Sequence, residues 1–85
     1  MTQHATHPNI IRRLKRAEGH LRAVIDMFND GRGCSELAQQ LHAVESAVSS
    51  AKRELIHDHI ENCLDDPTSN GKGTLRELKA LAKYL

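Results

Sequence analysis

Aromatic side chains are nearly missing from this sequence: one Phe, one Tyr and no Trp among 85 residues. Its core cannot be built on large rings, so Leu, Ile, Val and Ala must supply the packing. The apolar-polar alternation of a strand is missing too, which leaves amphipathic helices as the organising element. No apolar stretch approaches the roughly 18 residues of a membrane span, and no signal-peptide pattern opens the chain. A cytoplasmic protein with no membrane partner is expected. Two cysteines are too few for a disulfide framework, and in a cytosolic chain they point to metal or thiol chemistry. No nucleophile, base and oxyanion arrangement can be read, so catalysis is not expected.

What is present is helix-forming. Ile10, Ile11, Leu14, Ala17, Leu21, Val24, Ile25 and Phe28 recur by threes and fours and predict a first helix over 9–29, after an arm at 1–8. "NDGRG" (29–33) ends it, with Gly31 or Gly33 able to take positive φ. A long second helix is predicted over 34–64, with Ser35 as its N-cap. "DDPTSNGKG" (65–73) breaks the pattern. A short third helix follows over 74–85, where Thr74 and Glu77 have capping-box spacing. Together, 1–85 read as a single all-α domain. A chain this small and Leu/Ala-rich gains burial by oligomerising. The net charge is only +1, but it is unevenly spread. "RRLKRAEGHLR" (12–22) sets Arg12, Arg13, Lys15, Arg16 and Arg22 against Glu18, whereas "HDHIENCLDD" (57–66) carries four acids and no Lys or Arg. A basic run is either a solvated helix face or an anion-binding one.

"HDHIENC" (57–63) holds the chemistry. Stepping along the second helix from Leu41 passes Val44, Val48, Ala51 and Leu55 to His59 and Cys63; stepping back passes Leu37 to Cys34. Taken singly, each cysteine reads as a small core residue and His59 as a satisfied core histidine. Three on one stripe, two of them at i,i+4, read as a metal-ligand set, with His57 off the stripe. Cys34 and His59 are 25 positions apart, or roughly 37 Å along a straight helix. Metal–ligand bonds are near 2 Å, so an unbroken helix cannot bring both to one ion. An antiparallel second copy would, giving two identical sites per dimer, each with Cys34 from one chain and His59 and Cys63 from the other. Two thiolates and an imidazole suit Cu(I); adding His4 or His7 would give four N/S donors fit for Ni(II), Co(II) or Zn(II).

"RRLKRAEGHLRAVIDM", Cys34 after a Gly-containing turn, "QQLHAVESAV" and "HDHIENC" resemble the CsoR/RcnR/FrmR family of small all-helical repressors. The resemblance spans about residues 9–85 and includes the Cys…His-x-x-x-Cys spacing. It implies three helices whose long antiparallel members form a dimeric four-helix bundle, assembled as a dimer of dimers. It implies Cys34, His59 and Cys63 as the metal site of the copper branch. It implies operator DNA, double-stranded, as partner, contacted through Arg13, Lys15, Arg16 and Arg53, with Lys52 nearby. It also matches Glu77 to a glutamate that accepts the second ring N–H of His59.

The resulting expectation is a repressor that binds operator DNA without metal and is released by Cu(I). Other readings stay open. One is a Ni(II)- or Co(II)-responsive repressor using an added N-terminal His; His4 and His7 lie near, but not on, the register of that branch. Others are a repressor sensing persulfide or formaldehyde, and a cytosolic metal carrier. Thr2 stands where the formaldehyde branch begins with Pro, the persulfide branch lacks the histidine at His59, and Gly33 replaces the copper branch's Tyr before the first Cys.

Overall fold

The computed structural model describes the backbone of residues 7–65 and 71–85, and the side chains of these except 62–65 and 71–74. Three helices follow one another: α1 (His7–Asn29), α2 (Cys34–Asp65) and α3 (Gly71–Ala82). No strand occurs among the described residues. The arm expected at 1–8 lies largely outside the described residues, and α1 already begins at His7. Pro8 sits in its first turn, where a missing N–H costs no intrahelical bond.

The α1–α2 turn is closed by backbone hydrogen bonds. Gly31 N–H donates to the Phe28 carbonyl at 3.1 Å and Arg32 N–H to the Met27 carbonyl at 3.1 Å. These are the two bonds of a Schellman cap, whose pivot needs a left-handed residue. Gly31 supplies it with φ 72°. The next helix starts two residues earlier than a Ser35 cap requires. The Gly33 carbonyl accepts from Leu37 N–H at 3.0 Å, which makes Gly33 the cap and leaves Ser35 inside the first turn. Arg32 and Glu36 then pair at 2.7 Å across this junction. The third helix is likewise displaced from the expected 74–85. Thr74 lies within it, so it cannot be an N-cap. Its end tightens through three-residue bonds, Tyr84 N–H to the Leu81 carbonyl at 2.9 Å and Leu85 N–H to the Ala82 carbonyl at 3.3 Å.

α1 and α2 form an antiparallel hairpin, packed along a narrow seam. Ile10, Ala17 and Val24 are buried on α1, and Leu37, Val44 and Ala51 on α2. Each set repeats every seven residues, the period of two helices in coiled-coil contact. Asp58 continues the α2 series and is also buried. α3 packs on α2, and no α1–α3 packing occurs among the described residues. The molecule is elongated, 55 × 23 × 15 Å.

The apolar stripe read from the sequence splits in two. Val44 and Ala51 turn into the hairpin, while Leu41, Val48 and Leu55 face outward at 41%, 45% and 39% exposure. Ile11, Leu14, Leu21, Ile25 and Phe28 form a matching outward stripe on α1. A two-helix seam can cover only one side of each helix, so a second apolar face stays open within one copy.

Candidate functional site

Cys34 opens α2, is exposed and carries a free thiol. It lies seven residues before Leu41, on the outward stripe rather than in the hairpin seam. His59 lies four residues after Leu55 and is partly covered, its side chain 21% exposed. Between them α2 runs unbroken, so both ends of one open apolar stripe carry candidate ligands. Cys63 belongs to the last turns of α2, one turn beyond His59; its side chain lies outside the described set. Within one copy, no group of three or more His, Cys, Asp or Glu side chains converges among the described residues.

Glu77 reaches His59 from α3. The His59 Nε2 to Glu77 Oε2 distance is 3.2 Å. With Nε2–H donating to the carboxylate, the ring lone pair belongs to Nδ1. In that arrangement Glu77 fixes how the ring is turned and leaves Nδ1 as the nitrogen open to a further partner. His57, one residue on from buried Ile56, is exposed and pairs with Glu61 at 3.6 Å. Of the two N-terminal histidines, His4 lies outside the described residues. His7 stands at the start of α1, its Nε2 3.9 Å from Asp58 Oδ2. That contact belongs to the hairpin seam, on a different side of α2 from the outward stripe.

The basic residues divide between faces. Arg13 and Arg16 line a groove of about 290 Å³ between α1 and α2, with Ala17, His20, Ala47 and Ser50. Lys15 lies instead with Ile11, Leu14 and Glu18, on the apolar side of α1. Lys52 and Arg53 are exposed on α2, and Arg53 Nη1 donates to Ser49 Oγ at 3.1 Å. The groove is bordered by a polar ladder. His20 Nε2 meets Gln40 Oε1 at 2.7 Å. Arg13 Nη1 meets Glu54 Oε2 at 2.6 Å, and Asn9 Nδ2 donates to Glu54 Oε1 at 3.5 Å. Glu54 and Asp58 do not stand out in the sequence. Their pairing with the start of α1 follows only once the hairpin is known to be antiparallel, which sets the basic and acidic segments side by side.

A family profile described as "metal-sensitive transcriptional repressor" matches residues 6–84. The chain belongs to that family. Among its relatives, the copper-sensing transcriptional repressor CsoR of Mycobacterium ulcerans (strain Agy99) is 36% identical over 63 residues, covering 74% of this chain and 54% of the relative. The CsoR of Bacillus subtilis (strain 168) is 34% identical over 64 residues, covering 75% of this chain and 63% of the relative. The chain thus spans between half and two thirds of the length of these curated relatives. A solved structure of the nickel-responsive transcriptional regulator InrS superposes with a TM-score of 0.82 at 30% identity, over 100% of this chain and 99% of that one. Copper and nickel, two of the four metals expected from the donor sets, therefore occur among the names of similar proteins. Their shared fold accounts for the all-α, three-helix architecture seen here.

Proposed function

We propose that this protein is a metal-responsive transcriptional repressor that binds operator DNA without metal and is released by Cu(I), held by Cys34 of one copy with His59 and Cys63 of another. The observation that carries this reading is the placement of Cys34 and His59 at opposite ends of one unbroken α2, both on its outward apolar stripe. Roughly 37 Å of helix separates them, so an antiparallel second copy lying along the stripe is what brings a Cys34 to a His59. The stripe then serves two ends: its Leu and Val residues bury against the other copy, and its ends form the site.

The donors fit the ion. Two thiolates with one imidazole are a soft set matched to Cu(I), for which low coordination suffices. When bound, such an ion supplies a crosslink between two copies. Orientation comes from the chain: Glu77 fixes the His59 ring, and α3 carries any displacement of that ring onward. The groove with Arg13 and Arg16, together with exposed Lys52 and Arg53, supplies cations for DNA phosphates; Lys15, on the apolar side of α1, is the weakest member of that expected set. A dimer of dimers would extend this basic surface along a duplex. A Ni(II)-responsive repressor is the second reading, favoured by the likeness to InrS. It needs a fourth donor, for which His4 and His7 are the N-terminal candidates; His7 lies at the start of α1, near Asp58.

The test is a gel-shift titration of the purified protein on the promoter fragment upstream of its gene, with Cu(I), Ni(II), formaldehyde or persulfide added separately. Release by Cu(I) at the lowest concentration is expected. Release by Ni(II) alone would select the second reading, and release only by a thiol-reactive inducer would remove the metal from the mechanism.

A further inference from the structure

Arg13 does not face the groove as a bare cation. Glu54 Oε2 lies 2.6 Å from its Nη1, and Asn9 Nδ2, also from α1, holds the other carboxylate oxygen at 3.5 Å. Asn9, Arg13 and Glu54 thus form a clamp across the hairpin, at the edge of the groove that Arg13 and Arg16 share. Glu54 is itself only 30% exposed, against 47% for Arg13, so water screens the carboxylate less than it would on an open surface. Arg16 has no ion-pair partner among the described residues. Two arginines on one groove are therefore unequal: one is neutralised within the chain and the other is available.

That inequality matters for binding a polyanion. Much of the free energy of DNA association comes from counterions released when cations neutralise phosphates. A guanidinium already neutralised by a carboxylate holds no phosphate until the carboxylate gives way.

We propose that Glu54 is a positioning residue that competes with DNA phosphate for Arg13, and so sets the strength and salt dependence of DNA binding without touching the DNA. This rests on the DNA-binding reading above. Glu54 acts through Arg13 alone, and its removal converts a self-paired arginine into a phosphate contact. α2 is continuous from Glu54 to His59, so a turn of α2 about its own axis at the metal end moves the clamp as well.

The experiment measures binding of full-length wild type, Glu54→Gln, Arg13→Ala and the double variant to a fluorescent duplex carrying the upstream promoter, by anisotropy across a KCl series. Glu54→Gln keeps the shape and the acceptor for Asn9. It should bind roughly two- to fivefold tighter per engaged protomer, the fold-change that matches a half-exposed ion pair. Its log–log salt slope should steepen by about 0.9 per protomer. Glu54→Asp, with the carboxylate drawn back by one methylene, should fall between Glu54→Gln and wild type. The double variant should match Arg13→Ala. Glu54→Gln binding no tighter than wild type would overturn the proposal, because the carboxylate would then be orienting Arg13 rather than withholding it. A gain that survives in the double variant would also overturn it, by placing the effect outside Arg13. If all five proteins leave the duplex unbound at low salt, the DNA-binding reading fails and this inference with it, a result distinct from either of the others.

Discussion

His59 and His57 are two residues apart and have different surroundings. His59 lies on the outward stripe of α2 against Glu77, whereas His57 is exposed beside Glu61. His59→Ala should leave much of the Cu(I) affinity in place, because two thiolates can hold the ion in linear fashion. It should abolish the effect of metal on DNA affinity, since the path from the site to α3 is cut. His57→Ala should change neither quantity. Metal affinity by competition, paired with DNA affinity with and without metal, checks both variants; a His59→Ala protein that still lets go of DNA like wild type would rule out the role given to the ring. Among the cations, Arg16→Ala or Arg53→Ala should weaken DNA binding and flatten the log–log salt slope by about 0.9 for each lost contact, with metal affinity unchanged. If both slopes stay at the wild-type value, these arginines do not face the duplex.

Elements are held by features of different strength. The α1–α2 turn depends on Gly31, whose φ of 72° an L side chain reaches only at a cost of about 1–2 kcal/mol. Gly31→Ala should lower stability by that amount in urea unfolding. Gly33→Ala should do much less, since its φ is not positive and a Cβ there meets nothing within 4 Å. An equal loss from both would mean that the Schellman cap does not govern the turn. Gly19, within α1, also has open space around a notional Cβ, so no close backbone approach within one copy accounts for it. The continuity of α2 is the second element-scale feature. One Ala inserted between Val48 and Leu55 would rotate His59 by about 100° relative to Cys34. Every ligand would remain in the chain, yet tight Cu(I) binding should disappear. Retention of that binding, measured by competition titration, would speak against a site built along one helix face.

At the scale of the whole molecule, the proposed function makes the open apolar stripe the link between assembly and sensing. Placing a charge on it, as in Leu21→Glu or Val48→Glu, should shift the protein towards monomer in sedimentation velocity and remove tight metal binding together with it. Ile56, 2% exposed within one copy, behaves differently: Ile56→Ala should cost about 2–5 kcal/mol of stability, the range for a buried aliphatic truncation. The intersubunit arrangement has its own check. A mixture of Cys34→Ala and Cys63→Ala chains should regain one intact site in each heterodimer, at the end where both wild-type residues meet. If metal stoichiometry stays at zero while dimers persist, the ligands do not come from two copies.

The sequence by itself determined the three helices, a glycine turn at Gly31 or Gly33 and the placement of Cys34 and His59 on one stripe of a long helix. Those features depend on local periodicity and backbone chemistry, which act over a few residues and can be read from spacing. It also carried the argument that Cys34 and His59 are too far apart to meet within one chain, because the rise of a helix is the same in every helix. Only the tertiary structure decided how the apolar residues divide between the hairpin seam and the outward face. Val44 and Val48 are equivalent in composition, and it is the position of α1 that buries one and leaves the other open. The helix ends shifted for a similar reason: whether Gly33 or Ser35 caps α2 depends on which carbonyl the turn aims at Leu37, which residue preference does not encode. Likewise, Arg13 reads as a free cation until the antiparallel hairpin brings to it Glu54, 41 positions away in sequence. Electrostatic pairing follows distance in space, and that distance is set by the fold.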